Sequence, residues 1–309
     1  MGGRAAVIGR RLRVVREAVL NGREFLVDWV RYVRHSTPTE GSVRADDAAC
    51  HLETQIAKDS HRVEKALAMR EPRGGFGAGP ADRLTALLPE EGPDEPAWVV
   101  HGREALAARE GFNTTGERDP VLTVPLEPWP GLDPAVLDGF FASRYSLRHF
   151  DAEKAVTRAD IERATALAQR TPSVCNRQAA RVHAFLGRAD VDRILPLHQG
   201  SAGFGHDIPA VVVLTVDTRL MAGAGERNQQ WIDGGLFAMS FSWALHGLGI
   251  GNIMLNWSRT NAATRALRTA ADIPEHEDVL MLVGLGHPAP GARRTRSPRR
   301  APAEVLRFH

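Results

Sequence analysis

Cysteine is scarce in this chain of 309 residues, which contains only Cys50 and Cys175. Neither stands in a CxxC pair or at a cysteine–histidine spacing that holds zinc, so the sequence predicts no metal site. A disulfide between two such distant cysteines is the less favoured alternative, and a reducing, cytoplasmic location is the simpler interpretation.

Long apolar runs are also absent, because no stretch of about 18 apolar residues occurs. A typical membrane-spanning helix is therefore not expected. No compact apolar stretch precedes a small-residue cleavage site, so the sequence predicts no secretion signal. With 43% hydrophobic and 25% charged residues, the composition favours a globular chain with room for one large or two small domains.

Positive charge is concentrated at the two ends of the chain. Residues 1–35 contain eight arginines and residues 293–309 contain six, although the net charge is only +2. Basic ends can bind nucleic acid, anionic lipid or phosphate. No nucleic-acid-binding motif accompanies either end, so we expect no nucleic-acid partner.

The first residues of the chain have the periodicity of an amphipathic helix, at 10–34. Its apolar stripe consists of Leu12, Val15, Val19, Leu26, Trp29, Val30 and Val33. We expect this stripe to pack on the body of the protein or on a partner subunit, because acidic residues interrupt the polar face. Peripheral contact with a membrane through this basic helix is the alternative.

Helices are also predicted at residues 51–69, 80–88 and 94–110. The glycine-rich stretch at 70–80 lacks a P-loop ending and follows no apolar strand, so it predicts a connector rather than a phosphate site. Residues 111–133 are rich in turn formers and predict a linker. We therefore expect a helical N-terminal extension with its linker at 1–133 and a second domain at 134–309.

The second half mixes helices and strands without regular alternation, which favours an α+β fold. The expected helices are 133–144, 157–170, 229–249 and 259–272, and the expected strands are 180–187, 209–217 and 278–288, with a short strand or turn at 249–255. Thr157 is expected to cap its helix, with Asp160 in the capping-box position. The near-continuous valines of 209–217 predict a central strand buried on both faces.

The first stretch with candidate chemistry is SRYSLRHF at residues 143–150, which we name the arginine segment. Arg144, Ser146 and Arg148 alternate and would point to one side of an extended chain. Two guanidiniums and a hydroxyl suit a phosphate or another compact anion, although such a string is often only surface.

The second stretch is TPSVCNRQ at residues 171–178, named here the polar loop. Pro172 ends the preceding helix, and Asn176 and Gln178 offer both hydrogen-bond donors and acceptors. Such a stretch suits the edge of a flat ring rich in heteroatoms, with a plain helix-to-strand loop as the alternative. The G-x-G-x-G string at 247–251 follows a helix, which argues against a Rossmann site but permits close approach of backbone N–H groups to a ligand.

Taken in order, these stretches resemble the nitroreductase-like family of FMN-dependent oxidoreductases. The family pattern R-x-S-x-[RK]-x-F followed by PS-x-x-N-x-Q is matched at residues 144–150 and 172–178. The helix from Asp233 to Gly249, the LVGLGHP strand and the basic tail add to the resemblance, which covers roughly residues 135–309. Residues 1–133 resemble an extension carried by one branch of the family.

The resemblance implies a central mixed or antiparallel sheet flanked by helices, with FMN as cofactor and NADPH or NADH as electron donor. It implies a homodimer with flavin sites at the subunit interface and ping-pong reduction of a small, electron-poor organic substrate by hydride transfer through flavin N5. Two alternatives stay open. They are a flavin-dependent dehydrogenase or oxidase in a biosynthetic pathway, and a non-catalytic flavin-binding accessory protein at a membrane surface.

The resemblance also implies cofactor-binding positions in several parts of the chain. The phosphate and ribityl chain of FMN would be held by Arg144, Ser146, Arg148 and either Arg299 or Arg300, with Tyr145 nearby. The flavin of the other subunit would be reached by polar-loop residues Pro172, Ser173, Val174, Asn176 and Gln178. The backbone around Ile253 and Met254 would place an N–H near flavin N5.

No catalytic side chain is implied, because the flavin carries the chemistry. Cys175 lies in the polar loop and is expected to be a spectator. Many family members continue this loop with Pro-Trp, whereas this chain has Ala179 and Ala180, and this departure leaves the substrate unassigned.

Overall fold

The computed structural model describes residues 2–38 and 48–309. Its N-terminal part consists of four helices, as the sequence predicts: α1 Gly2–His35, α2 Ala48–Ala68, α3 Ala78–Leu87 and α4 Ala97–Thr115. Helix α4 ends at Gly116, whose φ of 77° lies in the left-handed region that favours glycine after a helix. The linker is therefore shorter than predicted, because helical hydrogen bonding continues into residues 111–115.

Helices α2, α3 and α4 form a small hydrophobic core of their own. The apolar face of α2 is buried there, with Ile56, Val63 and Leu67 at 0% exposure. A Cβ atom on Gly102 of α4 would stand 2.9 Å from the Ile56 side chain. Glycine at this position therefore allows α2 and α4 to pack closely.

Helix α1 lies on the rest of the protein with its polar side inward. The Glu24 carboxylate accepts hydrogen bonds from Asn261 N at 2.7 Å and Asn261 Nδ2 at 2.9 Å. Arg31 forms an ion pair with Asp278, and Tyr32 Oη donates to a backbone carbonyl at 2.7 Å. The acidic residues of α1 are thus part of its attachment.

The apolar stripe of α1 faces away from the protein. Its described members are between 49% and 68% exposed: Val15, Val19, Leu26, Trp29, Val30 and Val33. The side chain of Leu12 lies outside the described residues. The prediction that the stripe packs on the body of the same chain is wrong, because the bonds of Glu24 and Arg31 turn the opposite side inward. Packing on a partner subunit stays a prediction.

The remaining elements form an α+β arrangement, which confirms the predicted fold class. They are α5 Pro134–Ser143, α6 Arg158–Ala168, β1 Ala180–Phe185, α7 Arg188–Ile194, β2 Ala210–Asp217, α8 Gln229–Gly247, β3 Gly251–Asn256, α9 Asn261–Ala271, β4 Glu277–Gly286 and α10 Pro302–Val305. The four strands form one sheet in the order β1-β2-β4-β3, and each neighbouring pair is antiparallel. The stretch that was expected as a short strand or turn is strand β3.

Strand β2 is central and buried at every residue, as its valines predict. Val211 and Val213 pack into a core cluster with α7 and α9, on one face of the sheet. Val212 and Leu214 pack into a second cluster with α6 and α8, on the other face. The sheet is therefore covered by helices on both sides.

Helix α6 has the predicted capping box at its N-terminus. Thr157 Oγ1 accepts from Asp160 N at 3.2 Å, and the Asp160 carboxylate accepts from Thr157 N at 2.8 Å. This helix ends at Ala168 and leads directly into the polar loop. Among residues 2–38 and 48–309, no helix is both long and apolar enough to span a bilayer.

Candidate functional site

The arginine segment runs along the edge of the sheet beside β3. Ser146 forms a parallel bridge with Asn252 of β3, and Leu147 N donates to Asn252 O at 3.0 Å. Leu147 and Phe150 are buried in the core, whereas Arg148 is exposed. The apolar side chains therefore anchor the segment and leave its polar groups at the surface.

The two guanidiniums of the arginine segment rest on aromatic rings. Arg144 Cζ lies 6.0 Å from the centre of the Trp243 ring, and Arg148 Cζ lies 6.0 Å from the centre of the Phe204 ring. In the part of the chain that the structure describes, no carboxylate forms an ion pair with either arginine. Both cations are therefore available to an anionic ligand.

A cavity of about 400 Å³ beside β3 brings Arg148 together with Ile253 and Met254. Ile253 is buried, and Met254 is half-buried. Tyr145 packs against the core next to this edge rather than lining the cavity. The structure thus brings Arg148 of the arginine segment and the β3 residues to one cavity, whereas Arg144 and Ser146 do not line it.

His198 and Arg259 line the same cavity, although sequence reasoning did not identify them. His198 Nδ1 accepts from Gly200 N at 3.0 Å, and Nε2 lies 3.1 Å from Asn256 O. This arrangement fits a neutral ring that donates through Nε2. Burial lowers the pKa of His198, and the nearby Arg259 charge lowers it further. No local motif marked His198, because Asn256 and the other β3 residues of the cavity are distant from it in the chain.

The polar loop has an unusual backbone. Cys175, Asn176 and Gln178 have φ angles of 49°, 52° and 49°, in the left-handed region that disfavours residues with a side chain. Each such residue costs about 1–2 kcal/mol. Backbone strain of this kind clusters at ligand-binding sites, so the loop is a candidate site on its conformation alone.

Polar contacts hold the polar loop in this conformation. Val174 N donates to the Asp233 carboxylate of α8 at 3.0 Å, and Gln178 N donates to Ser173 Oγ at 3.0 Å. The Arg177 side chain is 0% exposed and pairs with Glu226 at 2.8 Å. These contacts offset the cost of the left-handed residues.

The amide side chains of the polar loop remain available. Asn176 and Gln178 are exposed, and Gln178 Nε2 makes only a long contact of 3.4 Å to Asn176 O. Pro172 and Ser173 line a cavity of about 300 Å³ together with Gln178. Val174 instead packs against the core and positions the loop.

The arginine segment and the polar loop lie at opposite edges of the sheet. The arginine segment borders β3, and the polar loop leads into β1, which stands at the far end of the strand order. Three strand spacings amount to about 14 Å. No described cavity contains residues from both groups, so one chain does not bring them together.

Arg299 and Arg300 of the tail contact neighbouring tail residues. Arg299 donates to Ser297 O, and Arg300 lies 3.5 Å from the Glu304 carboxylate. Both side chains are exposed, and these contacts are local. Arg294, which the sequence did not single out, donates to Ala142 O at 2.9 Å next to the arginine segment.

Comparison with known proteins places a family match on these same residues. Residues 141–198 and 192–287 match the Nitroreductase family. The matched residues contain the whole arginine segment, the whole polar loop and all four strands. Helices α1 to α4 lie outside them. No curated protein sequence matches the chain.

Solved structures share the fold of the α+β part. A Bacillus subtilis structure that bears the name nitroreductase aligns with 57% of this chain and 100% of its own, at 16% identity and a TM-score of 0.50. A nitroreductase family protein from Streptococcus pneumoniae TIGR4 aligns with 56% of this chain and 100% of its own, at 17% identity and a TM-score of 0.48. An FMN-dependent nitroreductase from Clostridium difficile R20291 aligns with 55% of this chain and 98% of its own, at 17% identity and a TM-score of 0.45.

Proposed function

Because residues 141–287 belong to the nitroreductase family, we propose that this chain is an FMN-dependent oxidoreductase. In this proposal NADPH or NADH supplies the electrons, and a small, electron-poor organic molecule is reduced. The family supports oxidoreductase chemistry, and the residues at the two sheet edges support the cofactor.

The observation that carries the proposal is the pair of cations in the arginine segment. Arg144 and Arg148 have no carboxylate partner among the described residues, and Arg148 shares its cavity with Ile253 and Met254. A phosphate that carries two negative charges would satisfy both guanidiniums. These residues would hold the FMN phosphate, and Ser146 would add a hydroxyl.

The polar loop would hold the ring of the cofactor. A flat ring edge needs donors and acceptors at fixed positions, and the left-handed residues present Asn176 and Gln178 in a fixed arrangement. Since the loop and the arginine segment lie at opposite edges, a complete site would combine the loop of one chain with the arginine segment of a second copy. A homodimer is therefore part of the proposal.

When bound, FMN would accept a hydride from the nicotinamide and pass reducing equivalents to the second substrate. The chain's own contribution is binding and orientation. Arg144 and Arg148 neutralise the phosphate, and Asn176 and Gln178 fix the orientation of the ring edge. The ion pair between buried Arg177 and half-buried Glu226 keeps the loop rigid, so that the geometry is set before substrate arrives.

An absorption spectrum of the purified chain, followed by anaerobic addition of NADPH and of NADH, tests the proposal. A yellow protein that either nicotinamide bleaches supports it. A yellow protein that neither bleaches favours a dehydrogenase or a non-catalytic flavin protein instead. A colourless chain that takes up no added FMN contradicts the cofactor assignment.

A second candidate function is peripheral binding to an anionic membrane through α1. The exposed apolar stripe includes Trp29 at 61% exposure, and Glu24 is bonded to Asn261 on the opposite side. Apolar stripes flanked by arginines bind membrane surfaces. Cosedimentation of the chain with anionic vesicles at moderate salt would support this function. If the chain does not cosediment, a second copy of the chain remains the candidate partner of the stripe.

A further inference from the structure

A cavity of about 530 Å³ lies where α1 packs on the α+β part of the chain. Residues of α1 line one side of it, and the loop between β3 and α9 lines another, together with residues of α8, α9 and β4. Helix α1 lies outside the family match at 141–287. The matched residues alone therefore do not enclose this cavity.

The charged side chains that line the cavity balance in number. Three of them are cations and three are anions: Arg31, Arg259 and Arg268, and Glu24, Asp28 and Asp278. A ligand with a net charge would be repelled by the like charges of this lining. A ligand that carries one positive and one negative group, with no net charge, fits it better.

Two arginines in the cavity have donors without acceptors. In the part of the chain that the structure describes, Arg259 Nε is buried without a hydrogen-bond partner, and the same holds for Arg31 Nε and Nη1. Arg31 forms its ion pair with Asp278 through Nη2 alone. Because buried donors are normally paired, the lining lacks acceptor oxygens on this side. The carboxylate of a ligand would supply them.

Arg268 acts in the cavity through its charge rather than through open donors. Its Nε and Nη2 donate to the Glu277 carbonyl at 3.2 and 2.6 Å. Burial, together with the nearby charge of Arg31, lowers the pKa of Arg268 to about 10. Arg259 is thus the cation that can bind a ligand directly.

Asp28 supplies an acceptor on the α1 side. Its Oδ1 accepts from Asn261 Nδ2 at 3.1 Å, and among the described residues its Oδ2 has no donor. Glu24 is already engaged, because it accepts from Asn261 N and Nδ2, and the bond from Asn261 N lowers its pKa. Asp28 is therefore the carboxylate that can accept from a ligand.

Asp28 and Arg259 are near each other without being paired. Asp28 contacts Asn261, and Arg259 lies just before Asn261 in the chain. No ion pair joins the two side chains in the described structure, where such pairs reach 4.0 Å. A ligand that carries an ammonium and a carboxylate on adjacent atoms would bridge this gap.

The cavity also offers an apolar surface. Leu20 of α1 and Trp231 of α8 line it and are 41% and 45% exposed. Covering these side chains would remove apolar area from water. An apolar group on the ligand would therefore add to the binding of its two charges.

We propose that this cavity binds a free α-amino acid with an apolar side chain. Its carboxylate pairs with Arg259, its ammonium pairs with Asp28, and its side chain covers Leu20 and Trp231. This site goes beyond the function proposed above and needs no flavin. It adjoins the cavity beside β3, because Asn256, Ser258 and Arg259 line both.

The first test compares three probes by titration calorimetry on the full-length chain. They are L-leucine, isocaproate, which lacks the ammonium, and isoamylamine, which lacks the carboxylate. Each analogue should bind about tenfold or more weakly than leucine, because it loses one charged hydrogen-bonding group. No binding of leucine at millimolar concentration would overturn the proposal. An analogue that binds as tightly as leucine would overturn the zwitterion assignment.

The second test pairs each residue with one charge of the ligand. Arg259→Gln removes no described hydrogen bond and should weaken leucine about tenfold while leaving isoamylamine unchanged. Asp28→Asn should weaken leucine by a similar factor while leaving isocaproate unchanged. Arg34→Gln is the control, because Arg34 lies on α1 and its side chain is 68% exposed.

The pattern of losses also locates the site. Asp28 does not line the cavity beside β3, so a loss in Asp28→Asn that spares isocaproate supports binding at α1. Unchanged leucine affinity in either variant would overturn the assignment of that residue. A variant that weakens all three probes alike would overturn the pairing of its residue with one charge of the ligand.

Discussion

The two edges of the sheet present the two parts of the candidate site by different means. At the β3 edge, an extended segment anchored by Leu147 and Phe150 presents two arginines without carboxylate partners. At the β1 edge, a loop presents neutral amides from a left-handed backbone, supported by the ion pair between buried Arg177 and Glu226.

The difference follows from the physics of the two kinds of ligand group. A charged phosphate is attracted from a distance and tolerates some variation in side-chain position. A neutral ring edge is bound by hydrogen bonds that weaken steeply when their angles deviate. The charged edge therefore needs only a stable anchor, whereas the neutral edge needs a backbone held in a fixed, costly conformation.

The largest effect is expected at the charged edge. Arg144→Ala should weaken FMN binding about 10- to 100-fold, because hydrogen bonds to charged groups contribute about 1.5–3 kcal/mol. Flavin fluorescence titration measures this change. Arg158→Ala is the control, because Arg158 is exposed and pairs only with Glu162 on α6. Full flavin occupancy in Arg144→Ala would contradict the phosphate assignment.

A mixed dimer tests whether the two edges belong to one site. Chains carrying Arg144→Ala and chains carrying Asn176→Ala with Gln178→Ala would be given different tags and purified as heterodimers. Each heterodimer should bind one FMN with wild-type affinity, since one of its two sites combines two unaltered edges. Absence of any tight site in the heterodimer would place both edges in the same chain.

A smaller effect is expected at the neutral edge. Asn176→Ala should weaken FMN binding about 3- to 10-fold, in line with about 0.5–1.5 kcal/mol for a neutral hydrogen bond. Asn228→Ala, at the start of α8, is an asparagine control outside the loop. An effect as large as that of Arg144→Ala would show that the two edges do not differ in the way described.

Acid should loosen the β1 edge before the β3 edge. Burial raises the pKa of Asp217, but the hydrogen-bonded Arg219 and the charge of Arg181 on β1 outweigh it, so the pKa lies below 3.8. Burial likewise raises the pKa of Glu277, but hydrogen bonds from His183 on β1 and from Thr215 outweigh it, so the pKa lies below 4.5. Because both pKa values are lower in the folded chain, ionised Asp217 and Glu277 stabilise the fold at pH values above their ordinary pKa values of 3.8 and 4.5. This stabilisation is lost as the pH falls through the lowered pKa values of the folded chain.

Hydrogen-exchange protection of β1 and β3 amides between about pH 5 and pH 3 measures this difference. Protection should fall first in β1, whose two carboxylate contacts come from β2 and β4. Asp217→Asn should reduce the pH dependence. A parallel loss of protection in both strands would remove this distinction between the edges.

Local features of this fold could be predicted from sequence because neighbouring residues determine them. The two partners of the Thr157–Asp160 capping box are three positions apart, and the burial of β2 follows from its continuous valines. The orientation of α1 could not be predicted this way. Its apolar stripe is visible in the sequence, but the contact between Glu24 and Asn261 joins residues 237 positions apart.

The site was predictable in its segments but not in its arrangement. The residue types of the arginine segment and the polar loop indicated an anion and a ring edge. No glycine marks the left-handed positions at Cys175 and Asn176. The placement at opposite edges depends on the strand order, which arises from long-range pairing.

The opposite-edge placement has a consequence for how the protein would respond to dilution. If each site needs two chains, cofactor binding and chain association are thermodynamically linked, and each strengthens the other. Flavin would then be released as the chains separate, so specific activity would fall with dilution. Excess FMN would shift the dissociation midpoint to lower protein concentration, and the cofactor would act as an assembly factor as well as a redox group.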